Sequence, residues 1–215
     1  MTVIMYCLWM SILSNNKILK GKTVVLFGCL LIFIGISRHL PIDYPSLLNF
    51  SPVLAIFLVA GAYLREKFTW IFPLIAVVVS DFTLNPIYGV GLLEPFMIIT
   101  LVSYLLIFVL GRKIGTQCSI IKVFGASILS ALFFHITTCT FAWIVNPFYL
   151  KSLSGWWQSI FIGEQGYAPS YLFLRNSVVS TSLFSVFLVI FARLLGEEKP
   201  SQTAPAHQET MLTPN

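Results

Sequence analysis

Six stretches of this chain stay apolar for about the thickness of a bilayer, and that pattern leaves few folds open. A membrane-crossing helix needs about 20 mostly apolar residues, within a range of roughly 17–25. Runs of this kind fall at 18–37, 47–64, 68–84, 92–110, 120–145 and 171–195. Barrel strands would instead alternate apolar and polar side chains over segments of about 10 residues. Here the runs are continuously apolar, so helices are predicted. The third run, FTWIFPLIAVVVSDFTL, is the least regular because it holds Pro73 and Asp81. Proline is tolerated in a membrane helix where neighbours re-satisfy the freed carbonyl.

Composition supports lipid as the solvent. Of the 215 residues 57% are hydrophobic and only 10% charged, against roughly 45–50% and about 25% in soluble domains. So few charges cannot cover a water-facing surface. The expected fold is therefore all-α, a polytopic six-transmembrane-helix bundle spanning residues 18–195. Residues 1–17 are expected to form an interfacial segment or to reflect a start codon placed too early. The apolar stretch MTVIMYCLWMSIL lacks the basic flank of a signal peptide. Residues 196–215 read as a disordered cytoplasmic tail.

Cytoplasmic loops collect Lys and Arg. Under a six-span arrangement Lys17, Lys20, Lys22, Arg65, Lys67, Arg112, Lys113, Lys122, Arg193 and Lys199 share one side, ten of the thirteen basic residues. Arg38, Lys151 and Arg175 are left for the other. The split predicts a multi-pass protein of the cell (inner) membrane with both termini cytoplasmic. The net charge of +5 then reflects topology and the anionic lipid bilayer. No basic stripe lies on a soluble element, so nucleic acid is not an expected partner. Cys7, Cys29, Cys118 and Cys139 have no metal-ligand spacing, and neither a metal nor a cofactor is expected. No GxxxxGK[ST] phosphate loop occurs, so energy for any transport comes from an ion gradient or a partner.

The three predicted outer connections, 38–46, 85–91 and 146–170, gather the chemistry. Ligand pockets combine aromatic walls with a few convergent polar groups, and ionisable residues at membrane depth mark function by default. The candidate substrate-binding residues are Arg38, Asn49, Asp81, Glu94, Trp143, Asn146, Trp157, Arg175 and Asn176. Tyr88, Trp156 and Tyr167 lie near them. Competing readings stand beside each. Trp and Tyr also form belts at the membrane interfaces without binding anything, and Arg38 has Asp43 or Asp81 as structural partners. His135 sits mid-run, where an interhelical hydrogen bond is the commoner role. Cys139 follows at i+4 on the same helical face, which admits an intramembrane enzyme built on the pair. No third orienting residue is evident, so no catalytic residue is assigned and the chain is not read as an enzyme. Ala55, Ala60, Gly61 and Ala62 allow close helix approach, either within the bundle or toward a partner.

A resemblance joins these readings. Asn49 to Val53 (NFSPV), Ala60 to Ala62, Pro73-Leu74, Ser80-Asp81 and the later Phe173-x-Arg175-Asn176 resemble the pattern of a family of small bacterial membrane transport proteins. That family is similar to the substrate-binding S components of energy-coupling-factor (ECF) vitamin transporters. The resemblance covers roughly residues 36–195. It implies six helices, an inside N-terminus and a ligand site built from the outer loops. It implies a substrate-binding subunit for uptake of a small molecule such as a vitamin or related micronutrient. Most S components work with a membrane coupling subunit and ATPases, so a partner of that kind is implied too. The alternative carried alongside is a non-transport membrane scaffold or assembly factor.

Overall fold

A computed structural model describes residues 32–63 and 70–196. Within them the chain is all-helical. Seven helices run in order: α1 (residues 32–43), α2 (Val53–Tyr63), α3 (Ile71–Ile87), α4 (Pro95–Ile114), α5 (Ile120–Val145), α6 (Leu153–Phe161) and α7 (Ser170–Gly196). A short 3-10 turn, Pro45–Leu47, stands between α1 and α2. The expectations for residues 1–17 and for the tail beyond Gly196 lie outside the described residues, as do Arg65 and Lys67.

Three helical stretches, Pro95–Ile114, Ile120–Val145 and Ser170–Ile190, are long and apolar enough to cross a membrane. Of two shorter apolar helices, Val53–Tyr63 packs against these three and Ile71–Ile87 rests on Val53–Tyr63. The chain is thus a helical membrane protein. The outward face of α4 shows why. Ile98, Val102, Leu106 and Val109 recur at helical spacing and all lie on the bundle's exterior, where only lipid solvates them without penalty.

Several predicted boundaries shift for identifiable reasons. α1 runs to residue 43, so Arg38 lies inside a helix rather than in the predicted connection 38–46. Its charge is tolerated there because α3 supplies a partner, described below. The run 47–64 is not helical from its start. Pro45, Pro52 and a left-handed Asn49 (φ 60°) hold residues 48–52 off the helix, and α2 begins at Val53. Pro73 does not weaken α3, because it falls in the first turn, where a backbone N–H has no intrahelical acceptor. The nine-residue α6 was not among the predicted helices. Ser152 caps it by accepting from the Gly155 N–H at 3.3 Å.

α2 sits at the centre, against α4 and α7, with α5 packed on both of those. Its buried face runs from Val53 to Val59 almost without a break. Phe57, Tyr104 and Phe134 stack through α2, α4 and α5 with ring centroids 5.1 and 5.3 Å apart and planes nearly parallel. Small residues set the α2–α4 crossing. A Cβ on Gly61 would lie 2.0 Å from the Phe108 carbonyl oxygen, and one on Gly111 would lie 2.0 Å from that of Leu58. The small-residue cluster of α2 is therefore used within the bundle at Gly61. α5 and α7 meet through hydroxyls, with Ser127 donating to Ser182 at 3.1 Å. Such bonds are worth about 1 kcal/mol or less between membrane helices.

Candidate functional site

Where α1 ends, α2 begins and α3 ends, the helices splay and leave a cavity of about 370 Å³. Its polar lining is Ser37, Arg38, Asn49, Ser51 and Ser177. Rings make the rest of the wall: Phe50, Tyr88, Tyr104, Phe134, Tyr167 and Phe173. Tyr104 and Phe134 come from the middles of α4 and α5, so the cavity reaches from the loops toward the centre of the bundle. Its volume falls at the lower end of the roughly 300–1,000 Å³ typical of ligand pockets.

Arg38 is held from behind. One terminal nitrogen of its guanidinium donates to the Val77 carbonyl at 3.1 Å and to the Ser80 hydroxyl. The other pairs with the Asp81 carboxylate at 2.5 Å. Asp81 lies within helical backbone, as Arg38 does. It lies six residues before the C-terminus of α3, with its side chain 9% exposed against 20% for Arg38. Of the two structural partners considered for Arg38, Asp81 is the one the fold selects. The next residue along, His39, brings its ring to the Gly35 carbonyl at 2.7 Å and the Thr83 hydroxyl at 3.3 Å, a second tie between α1 and α3. Ion pairs at this depth hold their geometry because the alternative is an unpaired charge in a poorly solvating medium.

The opposite wall is built by Asn176. Its amide nitrogen donates to the Ser46 and Leu48 carbonyls at 2.7 and 2.8 Å, and its Oδ1 accepts from Arg175 Nε at 3.1 Å. A buried side chain on α7 thereby fixes the irregular segment that carries Leu48, Asn49 and Phe50 into the cavity lining. Replacing Asn176 with alanine leaves two carbonyls without their donor, at about 1–3 kcal/mol each. The Asn176→Ala protein should lose about 2 kcal/mol or more in thermal unfolding, and the 46–50 backbone should gain hydrogen exchange. Unchanged exchange in that segment would show that other contacts hold it.

The nine candidate binding residues thus divide. Arg38 and Asn49 line the cavity, and Asp81 and Asn176 stand directly behind its wall. Glu94, Trp143, Asn146, Trp157 and Arg175 do not line it. Glu94, the residue before α4, folds back on the preceding loop and accepts from the Gly91 N–H at 2.8 Å. Asn146 donates to Glu164 at 2.8 Å and accepts from the Phe148 N–H at 2.9 Å. Trp143 donates to the Leu150 carbonyl at 2.8 Å. These bonds organise the 146–152 turn. Trp157 lies outward on α6 beside Phe161, with ring centroids 4.9 Å apart. Tyr104, Phe134, Ser37 and Ser177 were missed. A ring or a hydroxyl inside an apolar run reads the same whether it faces lipid, core or cavity. Only the hydroxyl of Tyr104, midway along the apolar α4, carried a hint.

His135 is packed away from the cavity. Its Nε2 bonds the Ile160 carbonyl at 2.8 Å, tying α5 to α6, and Cys139 Sγ lies 3.7 Å from that same nitrogen. Among the described residues no group of three or more His, Cys, Asp or Glu is placed to hold a metal ion.

The chain matches a family model over residues 17–204 and belongs to that family, described as a family of unknown function (DUF6580). No curated protein and no solved structure matches it.

Proposed function

We propose that this member of the DUF6580 family is a substrate-binding membrane subunit that takes up a small molecule, of the size class of a vitamin or related micronutrient. The observation that carries the reading is the cavity itself. Six aromatic residues and a guanidinium held from behind converge on about 370 Å³ at the loop end of the bundle. Such a combination of apolar walls and few fixed polar groups is what small-molecule sites share. The resemblance to ECF S components agrees with it. On this reading the six apolar runs cross the cell membrane six times, both termini lie in the cytoplasm, and the cavity faces outward. The excess of Lys and Arg on one side supports that orientation. A membrane coupling subunit with ATPases, or an ion gradient, then supplies the energy. His135 serves as an interhelical tie, supported by its bond to the Ile160 carbonyl.

Native mass spectrometry of the protein purified in nanodiscs tests this. A retained small molecule is expected, released on denaturation and absent when Ala168, a cavity-lining residue on the last outer loop, is replaced by phenylalanine to fill the space. A protein that carries nothing, and whose Tm responds to no compound in a metabolite library, would sink the proposal in favour of a scaffold.

A further inference from the structure

We infer that the cavity takes an uncharged, ring-bearing molecule that offers a carbonyl or ring nitrogen to Arg38, and that Asp81 is the specificity-determining residue that keeps anions out. This rests on the binding-subunit reading and narrows it. A guanidinium has five N–H donors in a planar fork. Val77, Ser80 and Asp81 engage three of them, which leaves two unengaged on a side chain that lines the cavity. Among the described residues the lining contains no acidic side chain, and Asp81 stands behind Arg38 rather than in the wall. The pair is therefore electrically neutral, and its arginine is the member that reaches the cavity.

Each charge class of ligand meets a different fate there. A carboxylate would place two carboxylates on one guanidinium and leave a net negative charge in a poorly solvating site. An amine could use the aromatic faces, but the nearest charge it would meet is the positive one of Arg38. A neutral acceptor fills the two free donors and disturbs nothing. Six rings line the same space, and offset or edge-on ring packing favours a flat partner.

The test uses matched carboxamide, carboxylate and amine probes on one ring system: benzamide, benzoate and benzylamine; nicotinamide, nicotinate and 3-picolylamine; indole-3-acetamide, indole-3-acetate and tryptamine. Each is titrated against the full-length protein in nanodiscs, with Tm as the readout. At least one carboxamide should raise Tm where its carboxylate and amine do not, and Ala168→Phe should abolish the rise. In Asp81→Asn the carboxylate of that set should gain about tenfold in apparent affinity relative to its carboxamide, because a like-charge clash becomes an uncompensated attraction. Asp81→Glu, which keeps the charge, should retain the wild-type preference and controls for folding. Carboxylates or amines that bind the wild type as well as the carboxamides overturn the ligand class while the binding-subunit reading stands. An unchanged preference in a folded Asp81→Asn protein overturns the role of Asp81. Silence from every probe counts against both readings.

Discussion

Gly111→Val is expected to destabilise the protein by about 3 kcal/mol or more. The reason is backbone against backbone. A Cβ at Gly111 would meet the Leu58 carbonyl oxygen at 2.0 Å, and one at Gly61 would meet that of Phe108 at 2.0 Å. Neither obstacle is a side chain that can rotate away, so α2 and α4 must separate. That separation opens the stack of Phe57 on Tyr104 and the wall of the cavity together. Overpacking a well-filled interior costs about 1–3 kcal/mol, occasionally more, and a shift of two central helices belongs at the upper end. In a membrane, where close packing itself drives helix association, little else offsets the loss. Size-exclusion chromatography and thermal unfolding of the purified variant read the effect. Gly125→Ala is the control. Its Cβ would meet nothing within 4 Å, and alanine gains up to about 1 kcal/mol over glycine inside a helix. A Gly111→Val protein that is monodisperse and as stable as the wild type would mean that α2 and α4 do not cross at these residues.

The helices were legible because lipid leaves the backbone one solution per apolar run: satisfy every N–H and C=O inside the helix. Their ends were less so, for local reasons. LLNFSPV continues the hydrophobic signal of α2, yet Pro52 and the left-handed Asn49 keep it irregular. That irregular backbone is what Asn176 grips. Arg38 looked like the start of a loop because a charge closes an apolar run. It sits instead on helical backbone, since α3 brings a carboxylate to meet it. α6 had one local signal that went unread, the N-cap residue type of Ser152, whose hydroxyl accepts from the Gly155 N–H.

The site was legible only in its polar half. Arg38, Asn49, Asp81 and Asn176 stood out because charge and amide groups at membrane depth demand partners. Hydropathy carries no information about which way a ring faces, so Phe134 and Tyr104 could not be told from lipid-facing residues such as Phe124, which lies on the exterior. For the same reason Trp143 and Trp157 drew attention by type, although their bonds and exposure place them at the 146–152 turn and on the surface of α6.

Breaking the Arg38–Asp81 pair from one side should cost more than removing it altogether. In Asp81→Leu the guanidinium keeps its place 20% exposed and loses its only named counter-charge, and an uncompensated charge at such a site costs about 3–5 kcal/mol. Replacing both partners with apolar side chains removes two desolvation penalties along with their attraction, and buried pairs treated this way often come out neutral or more stable. The Arg38→Leu/Asp81→Leu double variant is therefore expected to recover most of the stability lost by Asp81→Leu alone. A double-mutant cycle on Tm or chemical unfolding in nanodiscs gives the coupling directly. Additive losses would show that solvent reaches both groups and that the 2.5 Å contact contributes little. The stable double variant then separates folding from binding. It keeps the helices together through the α2–α4 crossing and the ring stack, but has no guanidinium at the cavity wall. Loss of ligand binding in a protein that folds as well as the wild type assigns Arg38 to recognition, whereas retained binding moves recognition to the rings and to Asn49.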